Sequence, residues 1–81
     1  MTHDTRETRD IAYRELLAAD DAWQRALVAK FGRAAGDKRY TADGQGFPGS
    51  SLRQAYDRYL FCRDYFDVAQ KLYKDETEAQ P

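Results

Sequence analysis

Residues 52–73 read Leu52-Arg53-Gln54-Ala55-Tyr56-Asp57-Arg58-Tyr59-Leu60-Phe61-Cys62-Arg63-Asp64-Tyr65-Phe66-Asp67-Val68-Ala69-Gln70-Lys71-Leu72-Tyr73. Two apolar lines run through this stretch. Leu52, Ala55, Tyr59, Cys62, Phe66, Ala69 and Tyr73 recur at alternating steps of three and four, the seam of a helix built to lie along another helix. Phe61, Tyr65, Val68 and Leu72 repeat the rhythm on a second line, roughly 110° further round the axis at about 100° per residue. One neighbouring helix covers only one such line. The second is therefore expected to meet another surface, either a copy of this chain or a different protein.

The rest of the sequence supplies one helix for the first line. All five glycines lie between Gly32 and Gly49, and Pro48, the only proline before the C-terminal residue, lies there too. The spacing predicts two helical arms around a single connection. In the first arm Ala12, Leu16, Ala19, Trp23 and Ala26 follow steps of four and three, widened by Tyr13, Leu27 and Phe31. Its alanines let a partner backbone approach closely, and Trp23 fills the remaining volume, which makes Trp23 the expected packing centre. Asp10 with Arg14 and Asp21 with Arg25 are acid-first i,i+4 pairs expected on the far side.

The arm boundaries follow from end signals. Asp4 with Glu7 imitates a capping box, and Gly36 is the expected C-cap, giving a first arm at about 5–35. Residues 36–50 form a long glycine-rich loop in which Asp43-Gly44 reads as a tight turn. Phe47 and Tyr40 are expected to tuck onto the open end of the hairpin. Ser51 with Gln54 reads as a capping box opening the second arm, which should run to about residue 76 before an acidic tail, 77–81.

Composition excludes several function classes. Thirteen Lys and Arg against fourteen Asp and Glu leave a formal charge of −1, so no global basic field draws the chain to nucleic acid. One Cys and one His exclude a soft-ligand metal centre, and no Glu-x-x-His element of a di-iron bundle is present. Cys62 lies in the apolar seam, where a small hydrophobe is expected, and His3 stands in a charged terminal segment with no partner for acid–base work. No enzyme, cofactor or metal is expected. Met1 to Glu7 has no apolar core like that of a signal peptide, and no run approaches the ~18 apolar residues of a membrane span. The expected setting is cytoplasmic, without a membrane partner. Six tyrosines against four phenylalanines and one tryptophan favour half-wet contact surfaces over a dry core.

Two polar features carry further expectations. Asp20 falls within the apolar arc of the first arm, where a carboxylate must find a partner, within the chain or in a cationic group of a bound protein, or be protonated. If arms pair so that opposing residue numbers add to roughly 87, Arg63 comes within about a turn of Asp20, and an Asp20 to Arg63 bridge would fix the register. Arg33, Lys38, Arg39 and Tyr40, with Arg53 and Arg58 just beyond, form a basic and aromatic cluster of the kind that contacts phosphates and stacks on bases.

The stretch Asp20-Asp21-Ala22-Trp23 through Phe31-Gly32-Arg33-Ala34-Ala35-Gly36-Asp37-Lys38-Arg39-Tyr40 resembles small uncharacterised helical proteins of bacterial, phage and plasmid genomes. The resemblance implies a mobile-element accessory protein and marks Phe31, Asp37, Arg39 and Tyr40 as a structured corner. It implies no catalytic residue.

The sequence thus predicts an all-α antiparallel hairpin assembling through its second arm into a dimeric, four-helix-like bundle. Leaving Phe61, Tyr65, Val68 and Leu72 wet would forgo on the order of 1.5–3 kcal/mol for each large side chain that could be buried. The expected role is a non-enzymatic protein-binding module, an adaptor, regulator or inhibitor presenting a tyrosine-rich face. The alternative is a nucleic-acid-binding accessory protein acting through the basic-aromatic loop.

Overall fold

The computed structural model describes residues 5–79, and every regular element among them is helical. Helix α1 (Thr5–Phe31) and helix α3 (Ser51–Ala79) lie antiparallel, joined by a folded connection that contains the short helix α2 (Ala35–Lys38) and 3-10 turns at Gly32–Ala34 and Ala42–Gln45. The chain is an all-α hairpin. The expected Asp4 cap and His3 lie outside the described residues.

Helix α1 ends a turn earlier than its alanines suggest. Gly32 takes a left-handed backbone conformation (φ 58°), which a glycine adopts without the Cβ penalty other residues meet, and this terminates the helix directly after Phe31. Ala34 and Ala35 then continue as a 3-10 turn and the start of α2. The earlier stop sets the register of the hairpin. Arg9 lies over Tyr73 at 4.2 Å, Tyr13 meets Phe66 at 5.5 Å, and Trp23 meets Tyr59 at 4.9 Å and Tyr56 at 5.1 Å. The expected register would have put Asp64 beside Trp23. The observed shift of about five residues follows from a connection bounded by Phe31 and Ser51, whose midpoint lies closer to α1 than a 36–50 loop would put it.

At the C-terminal arm the cap moves by one residue. Gly49, with φ 85°, and a Ser50 N–H to Phe47 carbonyl bond of 3.0 Å form a turn that presents Ser50, whose Oγ accepts the Arg53 N–H at 3.1 Å. Ser50 is thus the N-cap in place of the expected Ser51, and Gln54 instead donates its backbone N–H to the Ser50 carbonyl. Ser50→Ala is expected to cost about 1 kcal/mol of stability in urea unfolding, against a near-neutral Ser51→Ala. The acidic tail also differs from expectation: the helix continues through Thr77, whose hydroxyl donates to the Tyr73 carbonyl at 2.7 Å, to Ala79.

The core follows the first apolar line of each arm. Ala12, Ala19, Trp23 and Leu27 are buried from α1, and Leu52, Cys62 and Ala69 from α3, with Ala35 closing the loop end. Trp23, Leu27, Ala35 and Leu52 form one cluster against which Phe31, Tyr56 and Tyr59 pack, so Trp23 stands at the packing centre that its alanine neighbours suggested. The outer pair Asp21–Arg25 forms at 2.9 Å, whereas Asp10 pairs with its neighbour Arg9 at 3.5 Å instead of Arg14. Arg9 is already held toward Asp10's end of the hairpin by its stacking on Tyr73.

Candidate functional site

The inner line of α3 is consumed by the hairpin, and the outer line is left bare. Phe61, Tyr65, Val68 and Leu72 are 71%, 40%, 58% and 54% exposed. They follow the helix at steps of four, three and four, so they form one contiguous strip spanning about three turns. Ile11, Tyr13, Leu17 and Val28 of α1 are also about half exposed, but only Tyr13 and Leu17 lie one turn apart, and the Tyr13 ring already meets Phe66 at 5.5 Å, so they make no comparable line. The α3 strip is different in kind, because four large side chains share one line within 12 positions of the chain. Tyr65 brings a hydroxyl to its centre, which suits a surface that is wet when alone and covered when bound.

The second constellation forms around Arg39. Helix α2 carries the chain back over α1, and the Arg39 guanidinium stacks on Trp23 with its central carbon 4.3 Å from the ring centroid. Its Nη1 donates to Gln24 Oε1 at 3.1 Å and its Nη2 to Asp20 Oδ1. Asp20 and Gln24 are one turn apart on α1, so a planar fork reaches both at once while its face covers the indole. This corrects the expected Asp20 to Arg63 bridge. Arg39 arrives between them from the connection, and Arg63 instead lies 3.7 Å from its own neighbour Asp64. The half-buried ion pair therefore ties the connection to α1 instead of tying one arm to the other.

Beneath the corner, the turn Ala42–Gln45 completes the cover of Trp23. Its indole Nε1–H donates to the Gly44 carbonyl at 2.9 Å. Beside this lid an open groove of about 440 Å³ is lined by Trp23, Arg39, Tyr40, Tyr59 and Arg63 among others. Arg39 is neutralised there by Asp20, and Asp64 draws on Arg63. The groove thus has no free concentration of positive charge.

Arg33, Lys38, Arg39 and Tyr40, the residues expected to meet nucleic acid in the alternative reading, have different surroundings in the fold. Arg39 turns inward, Lys38 binds Asp43 at 3.3 Å, Arg33 stays on the exposed 3-10 turn, and Tyr40 is 85% exposed. Tyr40 and Phe47 do not tuck onto the hairpin end as expected, since Tyr40 is 85% and Phe47 75% exposed, with the Lys30 ammonium 5.2 Å from the centroid of the Phe47 ring. The place expected for them is filled by Arg39 and by the Gly44 turn.

Among the described residues no group of three or more His, Cys, Asp or Glu side chains converges on a metal-sized site, and Cys62 is a buried free thiol within the seam. No described helix is long and apolar enough to cross a membrane. No protein-family model, curated protein or solved structure matches this chain.

Proposed function

We propose that this chain is a non-enzymatic protein-binding module, an adaptor, regulator or inhibitor that docks through the outer face of α3. The observation that carries the proposal is the uncovered strip Phe61, Tyr65, Val68 and Leu72 on a helix whose other apolar line is already packed. Burying these side chains at an interface gains on the order of 1.5–3 kcal/mol for each one fully covered, before the costs of association. Two hairpins joined face to face through α3 would make a four-helix-like bundle, the assembly this architecture accommodates most simply. The buried, unpaired Cys62 suits a reducing, cytoplasmic setting. A mobile-element origin is the setting suggested by the resemblance of residues 20–40.

A photo-crosslinking side chain placed at Tyr65 is expected to capture protein in cell extract, and the same group at the exposed Asp67 should capture far less. Phe61→Asp in the Tyr65-labelled chain should lower capture about tenfold or more, as replacing a large apolar anchor by a charge does at other interfaces. Its far-ultraviolet circular dichroism should stay that of the wild-type chain, because Phe61 makes little contact within the hairpin. Equal capture from Tyr65 and Asp67, or capture that Phe61→Asp leaves untouched, overturns the proposal.

A further inference from the structure

The outer line of α3 extends beyond its apolar part. Continued at the same steps it runs Gln54, Arg58, Phe61, Tyr65, Val68, Leu72 and Asp75, so a cation closes one end of the apolar strip and an anion the other. Both charged residues are exposed, and among the described residues neither has an ionic partner. Several other charged residues of α3 do: Arg53 binds Asp57 at 3.1 Å, Arg63 lies 3.7 Å from Asp64, and Lys74 is 4.0 Å from Glu78, while Asp67 and Lys71, off the outer line, do not.

We propose that the partner of this face is a second copy of the chain, its α3 antiparallel to the first and centred between Tyr65 and Val68, with Arg58 of each copy against Asp75 of the other. The proposal rests on the reading of this face as a protein interface and specifies its occupant and register. Reversing the line and laying it on itself sets Phe61 against Leu72 of the second copy and Tyr65 against Val68 of the second copy, so every apolar member meets an apolar member. The same alignment brings Arg58 to Asp75 at both ends, as a two-fold interface requires. The paired stretch from Arg58 to Asp75 is about 26 Å long, at about 1.5 Å per residue.

Other alignments lose these matches. A parallel pair in register sets Arg58 on Arg58 and Asp75 on Asp75. An antiparallel pair slipped by one heptad sets Leu72 on Gln54 and Val68 on Arg58, or in the other direction Tyr65 on Asp75. Charge at the two ends of the strip therefore selects one arrangement among those that the apolar residues alone would tolerate.

The experiment uses two single charge reversals in the full chain, Arg58→Asp and Asp75→Arg, with solution mass and dissociation constant read by analytical ultracentrifugation. Each reversal alone places like charges at both ends of the pair and is expected to weaken self-association about tenfold or more relative to the wild-type chain. An equimolar mixture of the two variants restores opposite charge at both ends, so it should dimerise about as tightly as the wild-type chain. Circular dichroism checks that each variant keeps its helices. A wild-type chain that stays monomeric at high-micromolar concentration overturns the proposal, as do single reversals that dimerise like the wild type or a mixture no tighter than its components. Loss of the dimer in Phe61→Asp without loss in either reversal overturns this proposal through its register and leaves the broader reading of the face as a protein interface standing. A monomeric wild-type chain whose Tyr65 label still captures another protein overturns self-pairing and spares the broader proposal.

Discussion

Trp23→Ala is expected to unfold most of the population at room temperature. The indole is buried, lies within 5.1 Å of the Tyr56 and Tyr59 rings, carries the Arg39 guanidinium on its face and donates a 2.9 Å hydrogen bond to the Gly44 carbonyl. Truncating a buried aromatic to alanine costs about 3–5 kcal/mol, and leaving a covered carbonyl without its donor adds about 1 kcal/mol or more. A domain of this length has roughly 4–12 kcal/mol in all, at about 0.05–0.15 kcal/mol per residue. The loss is thus comparable with the whole. Urea titration followed by circular dichroism should find Trp23→Ala with little or no folded baseline. Trp23→Phe keeps a ring against Tyr59 but has no N–H for Gly44, so it should fold with a midpoint between the two. A Trp23→Ala chain with the wild-type midpoint would show that the loop-end cluster contributes little to holding the arms together.

The importance of Trp23 was legible in the sequence because it depends on local spacing alone. Ala12, Ala19 and Ala26 leave room that only Trp23 on that line is large enough to fill, and a repeat of three and four gives direction without knowledge of the partner. The same holds for the outer line of α3: its exposure follows from two apolar lines competing for one neighbouring helix. What spacing does not encode is the path of the connection. Gly32 and Gly36 are both plausible stops by composition, and only the left-handed backbone at Gly32 decides between them. That choice moves the register and starts α2 early enough to return Arg39 to α1.

Asp20 shows the consequence for a site residue. Its position in the apolar arc marks it as a carboxylate in need of a partner, but the pairing of two arms points to a cation on the facing arm. It came from 19 positions further along the chain, through a fold-back with no periodic signal. The clue present in the sequence was the pairing of Asp20 with Gln24 at one-turn spacing, which offers two acceptors to a planar donor and so favours Arg39 over a flexible lysine. Ser50 and Ser51 were indistinguishable in the same way, since either hydroxyl could cap α3 until the Gly49 turn selected one.

Gly44→Ala is expected to have the second large effect, and it tests the corner without touching any aromatic ring. A Cβ on Gly44 would sit 2.2 Å from the Lys38 carbonyl oxygen, 3.0 Å from the Lys38 carbonyl carbon and 3.1 Å from the Arg39 Cα. All three are backbone atoms, so no side chain can swing aside. Either the Ala42–Gln45 turn or the end of α2 must shift, the first drawing the Gly44 carbonyl from Trp23 and the second drawing Arg39 from Asp20 and Gln24. Overpacking of this kind costs about 1–3 kcal/mol, and loss of the indole hydrogen bond adds about 1 kcal/mol. Gly36→Ala provides the matched control, because a Cβ there meets nothing within 4 Å and the φ angle is not left-handed. That variant should be neutral or stabilised by about 0.4–1 kcal/mol through a less flexible unfolded chain. Trp23 is the only tryptophan, so its emission reports the corner directly. Gly44→Ala should show red-shifted emission and a lowered urea midpoint, whereas Gly36→Ala should show neither. An unshifted Gly44→Ala spectrum with the wild-type midpoint would mean that the turn does not hold the indole in place, and that the stacked tyrosines of α3 suffice.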